Sequence, residues 1–101
     1  MKQLVAVTLM ALAAQGAWAN AELAKKNNCL ACHGVDKKIV GPAYQDVAKK
    51  YAGQADAQAT LTQNIKAGGS GKWGPIPMPP QTQLSDADAK ALAVWVLGGA
   101  K

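Results

Sequence analysis

The sequence predicts an all-α fold of four short helices, and three features lead there. Tyr44, Val47, Ala48 and Tyr51 recur at i, i+3, i+4 and i+7, the spacing of an amphipathic helix. Glycine and proline punctuate the chain between the helical segments, with no strand pattern among them. Ser85-Asp86-Ala87-Asp88 has the S-x-x-D form of a helix start, just ahead of an apolar run that stops at Gly98-Gly99.

The first helix is read over residues 21–31, AELAKKNNCLA, with Asn20 as its N-cap. Leu23 and Ala24 are placed inward and Lys25 and Lys26 outward. Asn27 and Asn28 are weak helix formers, so the helix is expected to fray or tighten there. A Gly41-Pro42 turn feeds the second helix, with Pro42 near its first turn and Gly53 after its end. Asp56 is placed as the cap of the third, which turns Ala57, Leu61 and Ile65 to one face and stops at Gly68-Gly69. The fourth runs to about Leu97 and buries Leu92, Trp95 and Val96. It is apolar nearly all round, which predicts contact with the first helix on one side and with the functional region on another. Between the third and fourth helices, residues 68–83 have no period and are rich in glycine and proline. A loop of that length in a small domain is usually functional.

The N-terminus has a different character. Lys2 precedes an uncharged apolar run, Leu4 to Ala14, and Ala17-Trp18-Ala19 follows with small residues suited to a signal peptidase. This is the pattern of a secretory signal peptide over residues 1–19. The run is short for a membrane span, which sets aside the competing reading of an uncleaved anchor. Cleavage after Ala19 leaves one domain, residues 20–101, located in the periplasm with no stable membrane insertion; cleavage after Ala21 is the close second. A domain this small buries only about 60% of its unfolded surface and is marginal without a staple.

Eleven lysines, no arginine and six acids give a net charge of +5 at pH 7, and loss of Lys2 with the leader leaves +4. Without arginine, and with no basic run longer than two residues, nucleic-acid binding is unsupported. The lysine pairs Lys25/Lys26, Lys37/Lys38 and Lys49/Lys50 fit an ordinary solvated surface. Together they also carry enough charge to steer acidic partner proteins.

Cys29-Leu30-Ala31-Cys32-His33 is Cys-x-x-Cys-His, the form of a c-type haem attachment site. Thiols at i and i+3 share one face of a helical turn and can both reach the vinyl groups of one porphyrin, while the next residue turns an imidazole toward the iron. A disulfide between them would close a tiny loop and constrain little. A thioredoxin-type motif would follow a strand in an alternating strand–helix pattern. A zinc site needs four ligands, and the chain has two cysteines and one histidine. The haem is then the staple, the centre of a core formed by the four helices around it. Haem-free chain is expected to be largely unfolded, which amide spectra would test.

His33 fills only one axial position. With Met1 and Met10 in the leader, Met78 is the remaining methionine, and it sits in Gly74-Pro75-Ile76-Pro77-Met78-Pro79-Pro80-Gln81 among four prolines. A neutral thioether opposite His raises the reduction potential of haem iron. The flanking prolines stiffen the backbone and reduce the entropy lost on placing the sulfur. The competing reading is a methionine that only packs. Tyr44, Tyr51 and Trp95 are read as core, and Val40 and Ile76 as part of an exposed apolar patch around the haem edge.

The segments NNCLACHG, VGPAYQDVAKKYAG and GKWGPIPMPP together resemble the small class I bacterial cytochromes c of the cytochrome c-551/c-552 family, over residues 21–101. The resemblance implies the class I cytochrome c fold and one haem c held by two thioethers, from Cys29 and Cys32. It implies His33 and Met78 as axial ligands of low-spin iron. The carbonyl of Pro42 matches the acceptor of the His33 Nδ1–H bond, and Trp73 matches a donor to a haem propionate; the residues alone fit Trp73 equally well as a packing aromatic. Asn64 departs from the family where relatives often carry a base near that propionate. Gln81 departs where several carry an Asn bonded to the methionine sulfur.

The implied function is that of a monomeric periplasmic one-electron carrier and not an enzyme. Its donor would be a quinol-oxidising complex or another cytochrome, and its acceptor a nitrite reductase or a terminal oxidase. The rival is a haem protein with a labile sixth ligand that binds small ligands or acts as a weak peroxidase. The proline-collared Met78 argues against it.

Overall fold

The computed structural model describes residues 20–101, so the expected signal peptide, residues 1–19, lies outside the described residues. Four helices appear, with no strand among the described residues: α1 (helical residues 20–26), α2 (Tyr44–Tyr51), α3 (Ala57–Ala67) and α4 (Asp86–Leu97).

Helix α1 does not run through to residue 31. It stops at Asn27-Asn28, and a short 3₁₀ turn, Cys29–Ala31, follows as a separate element. Asn28 takes the left-handed conformation, φ 61° and ψ 20°, which asparagine tolerates better than most residues. Asn27 turns its side chain back to donate from Nδ2 to the Leu23 carbonyl at 2.9 Å, the same oxygen that accepts from the Asn27 backbone N–H at 3.2 Å, so this residue closes the last turn twice. Asn20 is itself helical and not a cap. The inward and outward faces are as read: Ala24 is fully buried, Leu23 packs on the core, and Lys25 and Lys26 are exposed.

Helix α2 buries Tyr44, Val47 and Tyr51 and ends before Gly53, which has φ 79°. Ala43 is its N-cap residue, and Pro42 stands one residue further out. In α3, Ala57 and Leu61 are buried and Ile65 packs against them, but Asp56 makes no side-chain capping bond. Helix α4 starts as its sequence requires, with Ser85 Oγ accepting from the Asp88 N–H at 3.1 Å.

Helix α4 organises the core. It packs on both α3 and α2, and its Ala89, Leu92, Ala93, Trp95 and Val96 join Ala24, Tyr44, Val47, Tyr51, Leu61 and Leu84 in one buried cluster. It is not buried all round, since Val94 is 48% exposed. Trp95 packs edge-on against Tyr44, ring centroids 5.4 Å apart, while its Nε1 is buried without a hydrogen-bond partner. The helices leave two long loops, 32–43 and 68–85, and these carry the residues singled out for function other than Cys29, which lies in the 3₁₀ turn. Among the described residues no helix is long and apolar enough to cross a membrane.

Candidate haem site

The first loop is tied back to the motif that precedes it. In the turn itself, the amides of Cys32 and His33 both bond the Cys29 carbonyl, at 3.2 and 3.0 Å. Further on, the amides of Val40 and Gly41 both bond the Cys32 carbonyl, at 3.0 and 2.7 Å, and Tyr44 N bonds the Gly34 carbonyl at 2.9 Å. This folding-back brings the Pro42 carbonyl oxygen to 2.8 Å from His33 Nδ1. A carbonyl only accepts, so Nδ1 carries the proton and Nε2 keeps its lone pair for a metal.

Two residues fix the imidazole further, and neither was singled out by the sequence reading for this role. Tyr44 stacks on His33, centroids 5.2 Å apart and planes 22° from parallel. Gly41 lies so close that a Cβ on it would sit 2.4 Å from Cε1 of the ring. The Gly-Pro pair therefore does more than turn the chain: glycine admits the imidazole and proline offers the carbonyl. Cys29 and Cys32 are each partly buried and are not joined to each other. Burial pushes the Cys29 thiol up, with the Tyr44 hydroxyl offsetting part of the effect. Tyr44 is raised as well, by burial first and then by the neighbouring thiol.

The second loop holds Met78 by its backbone. Met78 N donates to the Gly69 carbonyl at 2.7 Å and Gly69 N to the Met78 carbonyl at 3.1 Å, an isolated antiparallel bridge. Gly68, at φ 70° and ψ −168°, lies directly against this segment, and a Cβ there would be 2.4 Å from the Met78 carbonyl oxygen. Just beyond, Gln81 N reaches the carbonyls of Ile65 and Lys66 at the end of α3, at 3.2 and 3.1 Å. The proline-flanked segment is thus docked on the C-terminal turn of α3.

Trp73 is on the same loop, with its ring under Lys50 Nζ at 4.5 Å from the centroid. Lys50 also donates to the Lys72 carbonyl, and Lys72 Nζ to Asn64 Oδ1, both at 3.3 Å. Asn64 is therefore accompanied by a lysine ammonium from elsewhere in the chain. Gln81 donates from Nε2 to the Pro79 carbonyl at 3.0 Å. Among the described residues no hydrogen bond joins Met78 or Trp73 to His33. The structure places Cys29 in the 3₁₀ turn, Cys32, His33 and Pro42 on the loop that follows it, and Trp73 and Met78 on the second loop.

These residues fit a haem. Two thiols precede an imidazole whose Nε2 is free of the bond that occupies Nδ1. The large exposed apolar side chains Leu30, Ile39, Val40, Trp73 and Ile76 lie on or beside the two site loops, with Val94 of α4 the exception. Apolar surface concentrated in this way suits a flat hydrophobic macrocycle.

Residues 19–99 match the Cytochrome c family. The chain belongs to the cytochrome c family. It is 60% identical to cytochrome c-552 of Nitrosomonas europaea over 86 residues, 85% of this chain and 84% of that protein. It is 55% identical to cytochrome c-551 of Pseudomonas aeruginosa over 102 residues, 96% of this chain and 97% of that one. The crystal structure of wild-type Nitrosomonas europaea cytochrome c552 superposes with a TM-score of 0.76 at 62% identity, covering 77% of this chain and 96% of that one. The resemblance read from three short segments thus extends to the whole domain. This cytochrome has the class I fold, binds one covalent haem c and acts in electron transport.

Proposed function

We propose that the protein is a periplasmic one-electron carrier whose iron stays six-coordinate in both oxidation states. Cys29 and Cys32 form the two thioethers, His33 Nε2 and the Met78 sulfur are the axial ligands, and the Trp73 indole N–H serves a haem propionate. The haem supplies the redox chemistry, cycling between ferric and ferrous iron. The chain holds the ligands fixed, so little has to move when an electron passes.

The observation that carries this reading is the His33–Pro42 hydrogen bond. It sets the tautomer, orients the ring and makes Nε2 a stronger donor. The backbone bridge between Gly69 and Met78 supports a sixth ligand held equally firmly. Residues 1–19 direct export and are removed. The remaining domain works as a monomer, between a donor such as a quinol-oxidising complex or another cytochrome and an acceptor such as a nitrite reductase or a terminal oxidase. Its net positive charge favours acidic partner surfaces. No residue is assigned as a catalytic acid or base.

Electrochemical titration of the exported protein, with carbon monoxide added to the ferrous form, tests this. A single reversible one-electron wave and a ferrous spectrum unmoved by carbon monoxide support the carrier. Ready carbon monoxide binding would show an open sixth position and favour a small-ligand binder or weak peroxidase.

A further inference from the structure

The backbone clasp on Met78 is continued by side chains, and they lead to an unexpected place. Gln81 Nε2 donates to the Pro79 carbonyl at 3.0 Å. Gln81 Oε1 accepts from Gln83 Nε2 at 2.8 Å. The same Gln83 nitrogen donates its second hydrogen to Asn27 Oδ1 at 3.3 Å, across 56 positions of sequence. Asn27 Nδ2 donates in turn to the Leu23 carbonyl at 2.9 Å. Three amides therefore link the residue after Met78 to the end of α1, two positions before Cys29.

The polarity of this chain is self-consistent. Each NH₂ donates, and the oxygens of Gln81 and Asn27 accept. Reversing Gln81 or Asn27 would set oxygen against oxygen at one end and nitrogen against nitrogen at the other, and reversing Gln83 would set its oxygen against two acceptor oxygens. The three orientations are thereby fixed together. Gln83 is the hinge, because among the described residues its side-chain hydrogen bond is the one that spans from the Met78 loop to α1. The Gln81 amide is also committed: its NH₂ serves the Pro79 carbonyl.

We infer that Gln83 is a positioning residue for Met78, acting through Gln81 and Pro79 to hold the methionine arm against the segment that enters the Cys-x-x-Cys-His turn. The inference rests on Met78 being an axial ligand. Loss of the bridge leaves the Gly69–Met78 bonds in place but frees the outer end of the arm. Met78 then departs from the iron more often, and an external ligand enters more readily.

The test uses exported, haem-loaded ferric protein and imidazole as the probe, following the far-red band of methionine-ligated ferric haem. In Gln83→Ala the apparent rate of imidazole binding should rise about 3- to 10-fold, the weight of one net hydrogen bond. Asn27→Ala should reproduce the gain, and Asn27→Ala with Gln83→Ala together should exceed neither single variant by much, since both cut one bridge. Thr82→Ala, on the same loop, should leave the rate within twofold. A Gln83→Ala protein with an intact far-red band and an unaltered imidazole rate would overturn the inference and leave Met78 ligation standing. So would gains that simply multiply in the double variant. A far-red band missing from the unmutated protein would overturn both.

Discussion

His33 Nδ1 lies 2.8 Å from the carbonyl oxygen of Pro42, and the loop between them is folded back by the amides of Val40 and Gly41 on the Cys32 carbonyl. Gly41 is the residue that makes room for it. Gly41→Ala would place a methyl 2.4 Å from His33 Cε1, so the imidazole must move off the carbonyl. The expected cost is about 1–3 kcal/mol by overpacking. Denaturant unfolding should show it. The midpoint potential should also fall out of line with that of a core variant of equal stability.

Gly68 plays the same part for Met78. Its φ of 70° and ψ of −168° fall in a region essentially closed to other residues, and a Cβ would strike the Met78 carbonyl. Gly68→Ala is expected to destabilise by about 1–3 kcal/mol from backbone strain alone. It should also weaken the far-red band of the ferric protein, which a purely global loss of stability would not do under native conditions.

Ser85 offers a contrast, because its side-chain hydrogen bond is to the start of α4 and not to any residue placed at the haem site. Ser85→Ala removes the bond to the Asp88 amide at 3.1 Å and should cost about 1 kcal/mol. Ser85→Asp should retain most of the stability. The visible spectrum should be the same in both, and thermal unfolding is the measurement that separates them.

Lys66 and Asp86 form an ion pair that ties the end of α3 to the start of α4. The hydrogen bond from Lys66, and then its charge, hold the Asp86 carboxyl below its ordinary value of 3.8. A carboxylate with a lowered folded pKa binds protons more weakly folded than unfolded. Its stabilisation is therefore present above about pH 4 and is lost as pH falls through the folded value. Asp86 is fully exposed, so the effect is small and screened by salt. Lys66→Met should flatten the fall in stability below pH 4, most visibly at low ionic strength.

Much of this was legible from local patterns, and the limits of that reading are physical. Tyr44, Val47 and Tyr51 are buried as their spacing predicts, and Ser85 caps as its motif predicts, because both depend on neighbours within a turn or two. The end of α1 was legible only in part: the weak point at Asn27-Asn28 was, and the conformation taken there was not. Asn27 and Asn28 are both poor helix formers, and the choice of Asn28 for the left-handed position depends on where the Cys29 turn must point. Asp56 occupies its expected place without making the expected bond, since its φ of −98° and ψ of 9° depart from the extended backbone from which a capping side chain reaches the first turn. Val94 is exposed in a helix that reads as apolar throughout, because α2 and α3 cover only part of its circumference. In the site, the motif and the proline collar stood out in the sequence. The stacking of Tyr44 on His33 and the bridge from Gln83 to Asn27 did not, since they join residues that only the finished fold brings together.

The central claim is that Met78 holds the sixth position of the iron, and the visible spectrum of the exported ferric protein tests it most directly. The account predicts a low-spin spectrum with the weak far-red band of a methionine sulfur, and loss of that band in Met78→Ala with the haem still covalently attached. A high-spin ferric spectrum without the band in the unmutated protein would contradict it.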